Sequence, residues 1–428
     1  MMMVEWPKVN LACCVELLAG FPFKSEHYTD NPDDVALVKG ENVSQGHILW
    51  EISKRWRVAD FTQLQKFELV PGDVVVAMDR PWVPAGLKWA YIREGDPQAL
   101  LVQRCARLRS KHESLNQDFL RFVIGGSGFE SYVKPITTGV NIPHISGKQI
   151  LDYEFTLPPL PEQRRIAGIL STYDDLIENN QRRIRILEDM ARRLYREWFV
   201  HFRYPGHESV PFADSPLGQI PQGWEVKKLG DVAATFRGRS YRSVDLADEG
   251  GFPFLNLKCL DRDGGFRRSG LKRYIGEFKE THLAKKGDIV MAVTDMTQER
   301  RIVARAALVP SLDNEFGVFS MDLVRIEPKG EMPKSFLYSF LRYSSFADEV
   351  KQHANGANVL HLSPERITDF RFSAPPVDLM ERFVRFVAPA LEQMDVLQNQ
   401  TANLRRTRDL LLPRLLSGKV HLLPEDVA

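Results

Sequence analysis

The architecture of this chain is decided by residues 166–198, which read IAGILSTYDDLIENNQRRIRILEDMARRLYREW. Seam residues recur there at spacings that alternate between four and three. The positions are Ile166, Leu170, Tyr173, Ile177, Asn180, Ile184, Leu187, Ala191, Leu194 and Trp198. This period of about 3.5 residues is the heptad pattern of helices that pack along a seam. The stretch predicts one long helix.

A second seam follows at a constant offset, since 383 − 166 = 217, and eight of its ten positions are apolar: Phe383, Val387, Ala390, Met394, Leu397, Thr401, Leu404, Arg408, Leu411 and Leu415. Each helix is expected to start after a Pro-Pro pair. Pro389 predicts a kink near the start of the second helix, and Pro413 and Gly418 mark its end.

Each helix of about 35 residues is about 50 Å long, which is longer than packing against a single globule requires. We therefore expect the helices to pack on each other in antiparallel fashion; packing of each on its own globule is the alternative. Asn180 either fixes the register of the pair or lies at a helix bend.

The duplication extends over the whole chain. His144-Ile145-Ser146 recurs as His361-Leu362-Ser363, and 361 − 144 = 217. The Gly-Asp-Val-Val stretch at 72–75 recurs as Gly-Asp-Ile-Val at 287–290, an offset of 287 − 72 = 215. A near-constant offset across such landmarks indicates one unit repeated in tandem, with a period too long for a solenoid.

Each repeat has a globular part and a helical part. The globular parts carry short β-rich runs separated by Gly and Pro, such as Asp73–Met78, together with helical segments. The pattern predicts an α+β chain of two tandem mixed α/β globules, separated by two long antiparallel coiled-coil helices, with pseudo-two-fold symmetry. The predicted segments are a first globule at 1–156, a helical spacer at 157–205, a second globule at 206–373 and a second helical spacer at 374–428.

Composition excludes several protein classes. The 428 residues are 43% hydrophobic and 26% charged, which is ordinary for globular domains and not for disordered or collagen-like chains. Lys and Arg total 57 against 56 Asp and Glu, so any nucleic-acid surface must be a segregated basic patch. The four cysteines form no CxxC pair, which favours a reducing cytoplasm over disulfides or a zinc ribbon. Met1–Trp6 lacks a basic region followed by an apolar run, so we expect no signal peptide.

Sequence motifs for catalysis are absent. The chain has no GxxxxGK[ST], HExxH or GxSxG string. Glu225-Val226-Lys227 loosely fits a magnesium nuclease, but such triplets are common on solvated faces. We predict no catalytic residue and no metal site. A diverged methylase or nuclease site is the alternative.

Polar loops remain as candidate binding chemistry. Arginine forks beside hydroxyl or amide groups suit base edges and phosphates of double-stranded DNA, whereas solvated charge runs are the alternative. Candidates in the first globule are Lys24, Ser25, Arg80, Lys88, Arg104, Thr137 and Thr138. Candidates in the second are Arg239, Tyr241, Arg242, Arg267, Arg268, Thr294, Thr297, Arg300 and Arg301. The loops around Phe23 and Tyr241 correspond, because 241 − 23 = 218.

One string carries a family resemblance. Leu157-Pro158-Pro159-Leu160-Pro161-Glu162-Gln163 before the heptad helix resembles the conserved region of the specificity subunit of type I restriction–modification enzymes. The stretches Pro71–Arg80 and Gly139–Ser146 resemble that family's target recognition domains. The second copy departs from the pattern at Val377–Glu381 and keeps only the Pro-Pro pair.

The resemblance implies a DNA-recognition subunit that is not itself an enzyme. Each globule would be a target recognition domain for one half of a bipartite site, and the helices would dock two methyltransferase subunits, which restriction (translocase) subunits can join. S-adenosylmethionine, ATP and Mg²⁺ would bind to those partners, in a prokaryotic cytoplasm and away from any membrane. The candidate spacer positions are Glu162, Gln163, Ile177, Leu187, Leu194, Met394, Leu404 and Leu411.

The seam generates a first prediction. Leu187 and Leu404 are equivalent positions, because 404 − 187 = 217. Changing one buried Leu to Ala should lower the free energy of unfolding by roughly 2–5 kcal/mol, and Leu187→Asp should lower it further because a charge is then buried unpaired. Assembly with methyltransferase subunits should fail before the globules unfold. Unchanged thermal stability and unchanged partner binding of Leu187→Asp would contradict the seam assignment.

Overall fold

The computed structural model describes residues 6–111, 113–137 and 143–420. The chain forms two compact units. Unit 1 comprises Met1–Glu178 and Ala402–Ala428, and unit 2 comprises Asn179–Thr401. Each long helix therefore contributes one part to each unit. The four predicted segments, with borders at 156, 205 and 373, stay a prediction.

Unit 1 is built on two β-sheets. The strand order of the five-stranded sheet is Val15–Ala19, Cys105–Ser110, Val74–Ala77, Trp89–Tyr91 and Gln45–Gly46. That of the four-stranded sheet is Arg55–Trp56, Val35–Val38, Ala99–Leu101 and Glu68–Leu69. Two short pairs join Lys8–Asn10 to Glu154–Thr156 and Trp82–Val83 to Gly86–Leu87. The shorter helices are Leu11–Cys14, Gln117–Ile124, Ser127–Ile136 and Gly147–Leu151.

Unit 2 has the same plan. Its four-stranded sheet runs Ala233–Arg237, Leu323–Pro328, Ile289–Ala292 and Ala306–Leu308. Its five-stranded sheet runs Leu246–Ala247, Lys272–Tyr274, Phe252–Leu255, Phe316–Phe319 and Leu283–Lys285. The two-stranded pairs are Phe212–Ser215 with Gly218–Pro221, Glu225–Lys228 with Arg371–Ala374, and Thr294–Asp295 with Leu360–His361. The shorter helices are Leu229–Val232, Lys334–Tyr343, Phe346–Val350 and Pro364–Thr368.

The equivalent elements confirm the duplication and the α+β class. The strands Ala233–Arg237 and Leu323–Pro328 repeat Val15–Ala19 and Cys105–Ser110 at one offset, since 233 − 15 and 323 − 105 both equal 218. In both units these two strands lie side by side with an apolar third strand, Val74–Ala77 or Ile289–Ala292. The repeat seen in the sequence is therefore a repeat of topology.

Burial on both faces explains why the central strand is apolar at every position. Val74 and Val76 face an apolar cluster with the helices of unit 1, whereas Val75 and Ala77 face the cluster that joins the two sheets. A strand covered on both faces needs apolar residues at every position instead of alternating ones. Ile289–Ala292 divides between two clusters in the same manner in unit 2.

The long helices begin where the sequence places them. They span Leu160–Tyr195, followed by a π-helical turn at Arg196–Val200, and Val377–Leu416. Each starts directly after a Pro-Pro pair, as predicted. The second helix includes Pro413 and ends at Leu416, between the two residues that mark its predicted end, and Gly418 follows with a left-handed φ of 71°.

The two helices pair in antiparallel fashion within each unit. In unit 1, Leu170 near the start of the first helix shares a cluster with Leu415 near the end of the second, and Arg408 donates a hydrogen bond of 2.7 Å to Asp174. In unit 2, Tyr195 at the end of the first helix lies 6.0 Å, between ring centroids, from Phe383 near the start of the second. Every predicted seam position is buried or half-buried, which confirms the coiled-coil prediction.

The repeated Gly-Asp motif has a structural task in both units. The carboxylate of Asp73 accepts the amide N–H of Val70 at 2.9 Å and the guanidinium of Arg109 at 2.8 Å. Asp288 accepts the amide of Lys285 at 2.9 Å and the ammonium of Lys334 at 3.1 Å. Both carboxylates are buried and close the tight turn that leads into the central strand.

Removing this carboxylate should destabilise unit 1. Asp73→Ala leaves the Arg109 guanidinium and the Val70 amide without their partner, so the free energy of unfolding should fall by roughly 3–5 kcal/mol. Calorimetric unfolding measures the change, and Glu51→Ala is the matched control because Glu51 is an exposed acid of the same unit. If the two variants unfolded at the same temperature, the buried ion pair would not be what stabilises the turn.

Candidate nucleic-acid interface

Antiparallel pairing brings distant loops to one end of the sheet in each unit. In unit 1, Ala19 and Ala77 end their strands opposite the start of Cys105–Ser110. In unit 2, Arg237 and Ala292 end opposite the start of Leu323–Pro328. We call these surfaces the loop ends: residues 20–28, 78–88 and 102–104 in unit 1, and residues 238–245, 293–305 and 320–322 in unit 2.

Most predicted DNA contacts lie at these loop ends. Those of unit 1 are Lys24, Ser25, Arg80, Lys88 and Arg104. Those of unit 2 are Arg239, Tyr241, Arg242, Thr294, Thr297, Arg300 and Arg301. The side chains of Lys24 and Arg242 are 77% and 82% exposed. Thr137 lies after the helix Ser127–Ile136, with its hydroxyl donating to the carbonyl of Val133 at 2.7 Å, and Thr138 lies outside the described residues.

Three predicted contacts are engaged by partners within the protein, and we correct them. The ammonium of Lys88 donates to the carbonyl of Gly40, and burial lowers its pKa. Thr294 is only 3% exposed, and its hydroxyl donates to Asp322 at 3.0 Å. Both side chains therefore bond within the protein at this end of the sheet, where Thr294 is buried and Lys88 is half-buried.

Arg268 is the third correction. Its guanidinium donates to the carbonyl of Ser311 at 2.8 Å and lies 3.4 Å from Asp395 of the second long helix, and burial lowers its pKa. It therefore ties the turn before the strand Lys272–Tyr274 to the helix within unit 2. Its neighbour Arg267 is exposed and donates to the carbonyl of Lys258 at 2.9 Å, away from the loop end.

Tyr241 anchors its loop and does not extend from it. Its ring lies 4.7 Å from the ring of Phe254, between centroids, and burial raises its pKa. The equivalent Phe23 is buried against Trp56, with a centroid distance of 4.8 Å. In both units, an aromatic side chain packs inward while the neighbouring basic residues face outward.

A glycine starts each of these loops because the backbone passes too close for a side chain. A Cβ atom on Gly20 would lie 2.2 Å from the carbonyl oxygen of Val102, and one on Gly238 would lie 2.1 Å from that of Ser320. No other residue fits such an approach. The loops are therefore pinned to the sheet at their first residue.

Asp295 organises the second loop of unit 2, and the sequence analysis missed it. Its buried carboxylate accepts the amide and hydroxyl of Thr297, both at 2.9 Å, and the amides of Ile302 at 2.8 Å and Val303 at 3.4 Å. The Asp-x-Thr spacing is typical of an Asx turn and could have indicated this role. Burial opposes ionisation, but these hydrogen bonds hold the pKa of Asp295 below its usual range.

Arg300 and Gln298 attach this loop to a neighbouring segment. Arg300 has a φ of 51° and donates to the carbonyl of Ala354 at 3.4 Å, and Gln298 donates to that of Ala357 at 3.0 Å. Positive φ is strained for residues with a Cβ and clusters at functional sites. Among the described residues, four of the five non-glycine residues with positive φ lie at the loop ends, namely Arg80, Arg104, Arg300 and Ala304.

Equivalent positions at the two loop ends carry different polar pairs. In unit 1, Asp79 lies 2.7 Å from His144 and 3.6 Å from Arg104. In unit 2, Thr294 takes the position of Asp79, since 294 − 79 = 215, and pairs with His361 in the strand ladder. Its hydroxyl donates to Asp322, which takes the position of Arg104, since 322 − 104 = 218. The backbone frame is shared by the two units, and the polar side chains on it differ.

The predicted spacer residues divide into two groups. Gln163 is fully buried: its oxygen accepts the amide of Asn116, and its nitrogen donates to the carbonyls of Ser114 and Pro158, each at 2.8 Å. Gln163 is therefore an internal clamp and cannot contact a partner, which corrects that prediction, whereas the half-buried Glu162 pairs with Arg165 at 3.1 Å. The remaining positions line the helix seam: Ile177, Leu187, Leu194, Met394, Leu404 and Leu411.

Neither a metal cluster nor a membrane-spanning helix occurs in the described part of the chain. Residues 6–111, 113–137 and 143–420 contain no group of three or more His, Cys, Asp or Glu side chains placed to hold a metal ion. No helix within those same ranges is long and apolar enough to cross a membrane.

A family model matches the chain twice. The model described as "Type I restriction modification DNA specificity domain" matches residues 4–189 and 221–404. The starts of the two matches differ by 221 − 4 = 217, which is the offset of the internal repeat. The matched segments each contain a loop end.

Known proteins resemble the chain over most of its length. The type I restriction enzyme MjaIX specificity subunit of Methanocaldococcus jannaschii is 27% identical over 315 residues, 71% of this chain and 69% of the relative. The MjaVIII specificity subunit of the same organism is 24% identical over 334 residues, 76% and 75% of the two chains. The crystal structure of a type I restriction–modification S subunit from M. genitalium aligns with a TM-score of 0.61 at 16% identity, covering 98% of this chain and 97% of that one.

The Asp295 turn generates a pH prediction. Because hydrogen bonds depress the pKa of this carboxyl in the folded state, its contribution to stability is present above the ordinary carboxyl pKa of about 4 and is lost as the pH falls through the folded value. Asp295→Asn should lower the free energy of unfolding by roughly 1–3 kcal/mol at pH 7. The difference from the wild type should shrink below about pH 4. A difference that stays constant from pH 7 to pH 3 would contradict the role given to the ionised carboxylate.

Proposed function

We propose, on the premise that this chain belongs to the family of type I restriction–modification DNA specificity domains, that the loop end of each unit reads one half of a bipartite double-stranded DNA target. The chain is a specificity subunit and not the catalyst. The observation that carries the assignment is the convergence, in each unit, of loops with exposed arginine or lysine side chains at one end of a sheet, although these loops come from separate parts of the sequence.

The side chains at the loop ends suit both kinds of DNA contact. Arg242 and Arg301 in unit 2 and Arg80 and Arg104 in unit 1 present exposed guanidinium groups, which bind guanine edges or phosphates in bidentate fashion. Lys24 adds an exposed ammonium for phosphate. The backbone that carries these groups is held by the sheet, so the side chains start from fixed positions and little backbone entropy is lost on binding.

The long helices are proposed to dock two methyltransferase subunits. With the seam at positions a and d of the heptad, the exposed large apolar side chains of both helices all fall at positions c and g: Leu176, Ile186, Met190, Phe386, Val396 and Leu410. In an antiparallel pair the g positions of the two helices lie on one side of the seam. Exposed apolar stripes of this kind mark protein interaction sites.

The opposite side of each helix packs against the globular part of its own unit. Glu178 pairs with Arg93 in unit 1, and in unit 2 Glu188 pairs with Arg342 while Asp395 lies 3.1 Å from Lys286. These acids stand at positions b and e, which therefore face loops and a short helix of the globular parts of the two units. The c and g stripe is exposed in each unit, and we assign one methyltransferase subunit to each.

The partners supply the chemistry. S-adenosylmethionine is proposed to bind to the methyltransferase subunits, and ATP and Mg²⁺ to restriction (translocase) subunits that join them in the cytoplasm. The competing hypothesis, a methylase or nuclease site within this chain, gains nothing from relatives that are themselves named specificity subunits. Incubation of the chain alone with radiolabelled S-adenosylmethionine under ultraviolet light tests it, since labelling would favour that hypothesis.

Independence of the two halves is the decisive test of this function. Methylated positions in DNA treated with the reconstituted complex should reveal two unrelated short sequences separated by a fixed, non-specific gap. Replacing residues 217–373 with the second globule of another family member should change one half-site only, because each loop end is built within its own unit. One continuous palindrome, or a change in both halves at once, would overturn the assignment.

Alanine substitution of single arginines should distinguish a base-reading contact from a phosphate contact. If Arg242 is bidentate to guanine, Arg242→Ala should cost about 1–3 kcal/mol and relax specificity at one base pair. If Arg239 or Arg242 contacts phosphate, the Ala variant should weaken binding to all sequences and reduce the slope of log K against log salt by about one. Fluorescence anisotropy of the complex on cognate and single-mismatch duplexes at two salt concentrations measures both effects.

The matched control for this series is Arg262→Ala, an exposed arginine of unit 2 outside the loop end. Its affinity and salt slope should equal those of the wild type. If Arg239→Ala and Arg242→Ala also match the wild type, this loop is a solvated surface and does not contact DNA.

A further inference from the structure

We propose that Gln103 and Met321 occupy one base-reading position that the two units share, with Gln103 recognising adenine in one half-site and Met321 recognising a thymine methyl group in the other. Neither residue stands out in the sequence, since one is a lone amide and the other a lone thioether. The inference rests on the proposed function, because it assumes that the loop ends face DNA.

The two positions are equivalent in backbone geometry. Their offset is 321 − 103 = 218, which equals that of the strands that follow them. The amide N–H of Gln103 donates to the carbonyl of Phe21 at 2.8 Å, and that of Met321 donates to the carbonyl of Arg239 at 2.9 Å. Phe21 and Arg239 share the same offset, since 239 − 21 = 218, and come directly after the two pinning glycines.

Both side chains project from fixed backbone. In unit 2 the segment around Met321 is bonded on one side through Ser320, whose amide donates to the carbonyl of Leu255 at 2.8 Å, and on the other through Asp322, whose carbonyl accepts the amide of Val293 at 2.8 Å. In unit 1 the carbonyl of Arg104, next to Gln103, accepts the amide of Met78 at 2.8 Å. A base-reading side chain needs such a fixed origin, because a mobile loop would lose binding free energy on ordering.

Met321 is an apolar group left in water among polar neighbours. It is 52% exposed, and Arg239 and Asp322 lie beside it along the ladder. In the major groove, the apolar feature of a base edge is the C5-methyl group of thymine. Burial of an exposed thioether against that methyl group gains hydrophobic free energy in the complex that the free chain cannot obtain.

Gln103 offers the complementary chemistry. It is exposed, and within the described residues its side-chain amide makes no hydrogen bond. A free amide on fixed backbone donates to N7 and accepts from N6 of adenine in a bidentate pair. The same position therefore changes from hydrogen-bond reading in unit 1 to methyl reading in unit 2.

Base analogues test the proposal on the reconstituted complex. The half-sites are first assigned to units by exchange of the second globule. Replacing thymines in the half-site of unit 2 with deoxyuridine, one at a time, should weaken wild-type binding about four-fold at one position. Met321→Ala should bind the uracil and thymine duplexes equally, while Met321→Leu should keep the discrimination.

A second set of base analogues tests the recognition of adenine by Gln103. Replacing adenines in the half-site of unit 1 with 7-deazaadenine removes the N7 acceptor and should weaken wild-type binding about ten-fold at one position. Gln103→Ala should lose this sensitivity without changing the uracil effect in the other half-site. Leu217→Ala, which removes an exposed apolar side chain of unit 2 on a separate hairpin, is the control and should leave both effects intact.

The outcomes distinguish failure of the base reading from failure of the proposed function. Sequence-specific, salt-dependent binding in which no uracil substitution matters, or in which Met321→Ala keeps the uracil effect, overturns the methyl reading and leaves the function standing. Persistence of the 7-deazaadenine effect in Gln103→Ala overturns the adenine reading. Loss of all sequence-specific binding by the wild-type complex would instead contradict the function itself.

Discussion

Backbone pairing among three antiparallel strands is the constraint on which the candidate interface depends. Because Val15–Ala19 and Val74–Ala77 both run antiparallel to Cys105–Ser110, the loops that leave the first two strands must meet the loop that enters the third. Unit 2 repeats this arrangement with different side chains. Hydrogen bonds of the ladder are made by every sequence, so the framework tolerates wide variation in the loops that it gathers.

A small number of residues fix the backbone at the two ends of the central sheet. Asp73 and Asp288 close the turns into the central strands, and Gly20 and Gly238 allow the backbone to leave the sheet where a Cβ would collide. These residues need not touch DNA to matter for recognition. They fix the backbone from which the exposed arginines extend, and a shift of their positions would misplace every contact at once.

The two copies have diverged where equivalence is not required for folding. Gln163 clamps the start of the first long helix, whereas its equivalent Met380, since 380 − 163 = 217, packs into an apolar cluster. At the loop ends, Asp79 with Arg104 becomes Thr294 with Asp322. The residue at the start of the long helix can be polar or apolar, because hydrogen bonds stabilise a buried Gln and apolar packing stabilises a buried Met. The differences at the loop ends instead alter what each unit presents to a ligand.

The sequence by itself determined the repeat, the long helices, their starts after the Pro-Pro pairs and the α+β class, because period, offset and proline are properties of order along the chain. It also placed most of the basic candidates in loops. It could not show that Lys88, Thr294, Arg268 and Gln163 bond to partners within the protein. Nor could it show that Asp295 organises a loop or that Gln103 and Met321 are equivalent. Burial and hydrogen-bond partners depend on residues far apart in the sequence, and only the tertiary structure, through strand pairing, decided which of them meet.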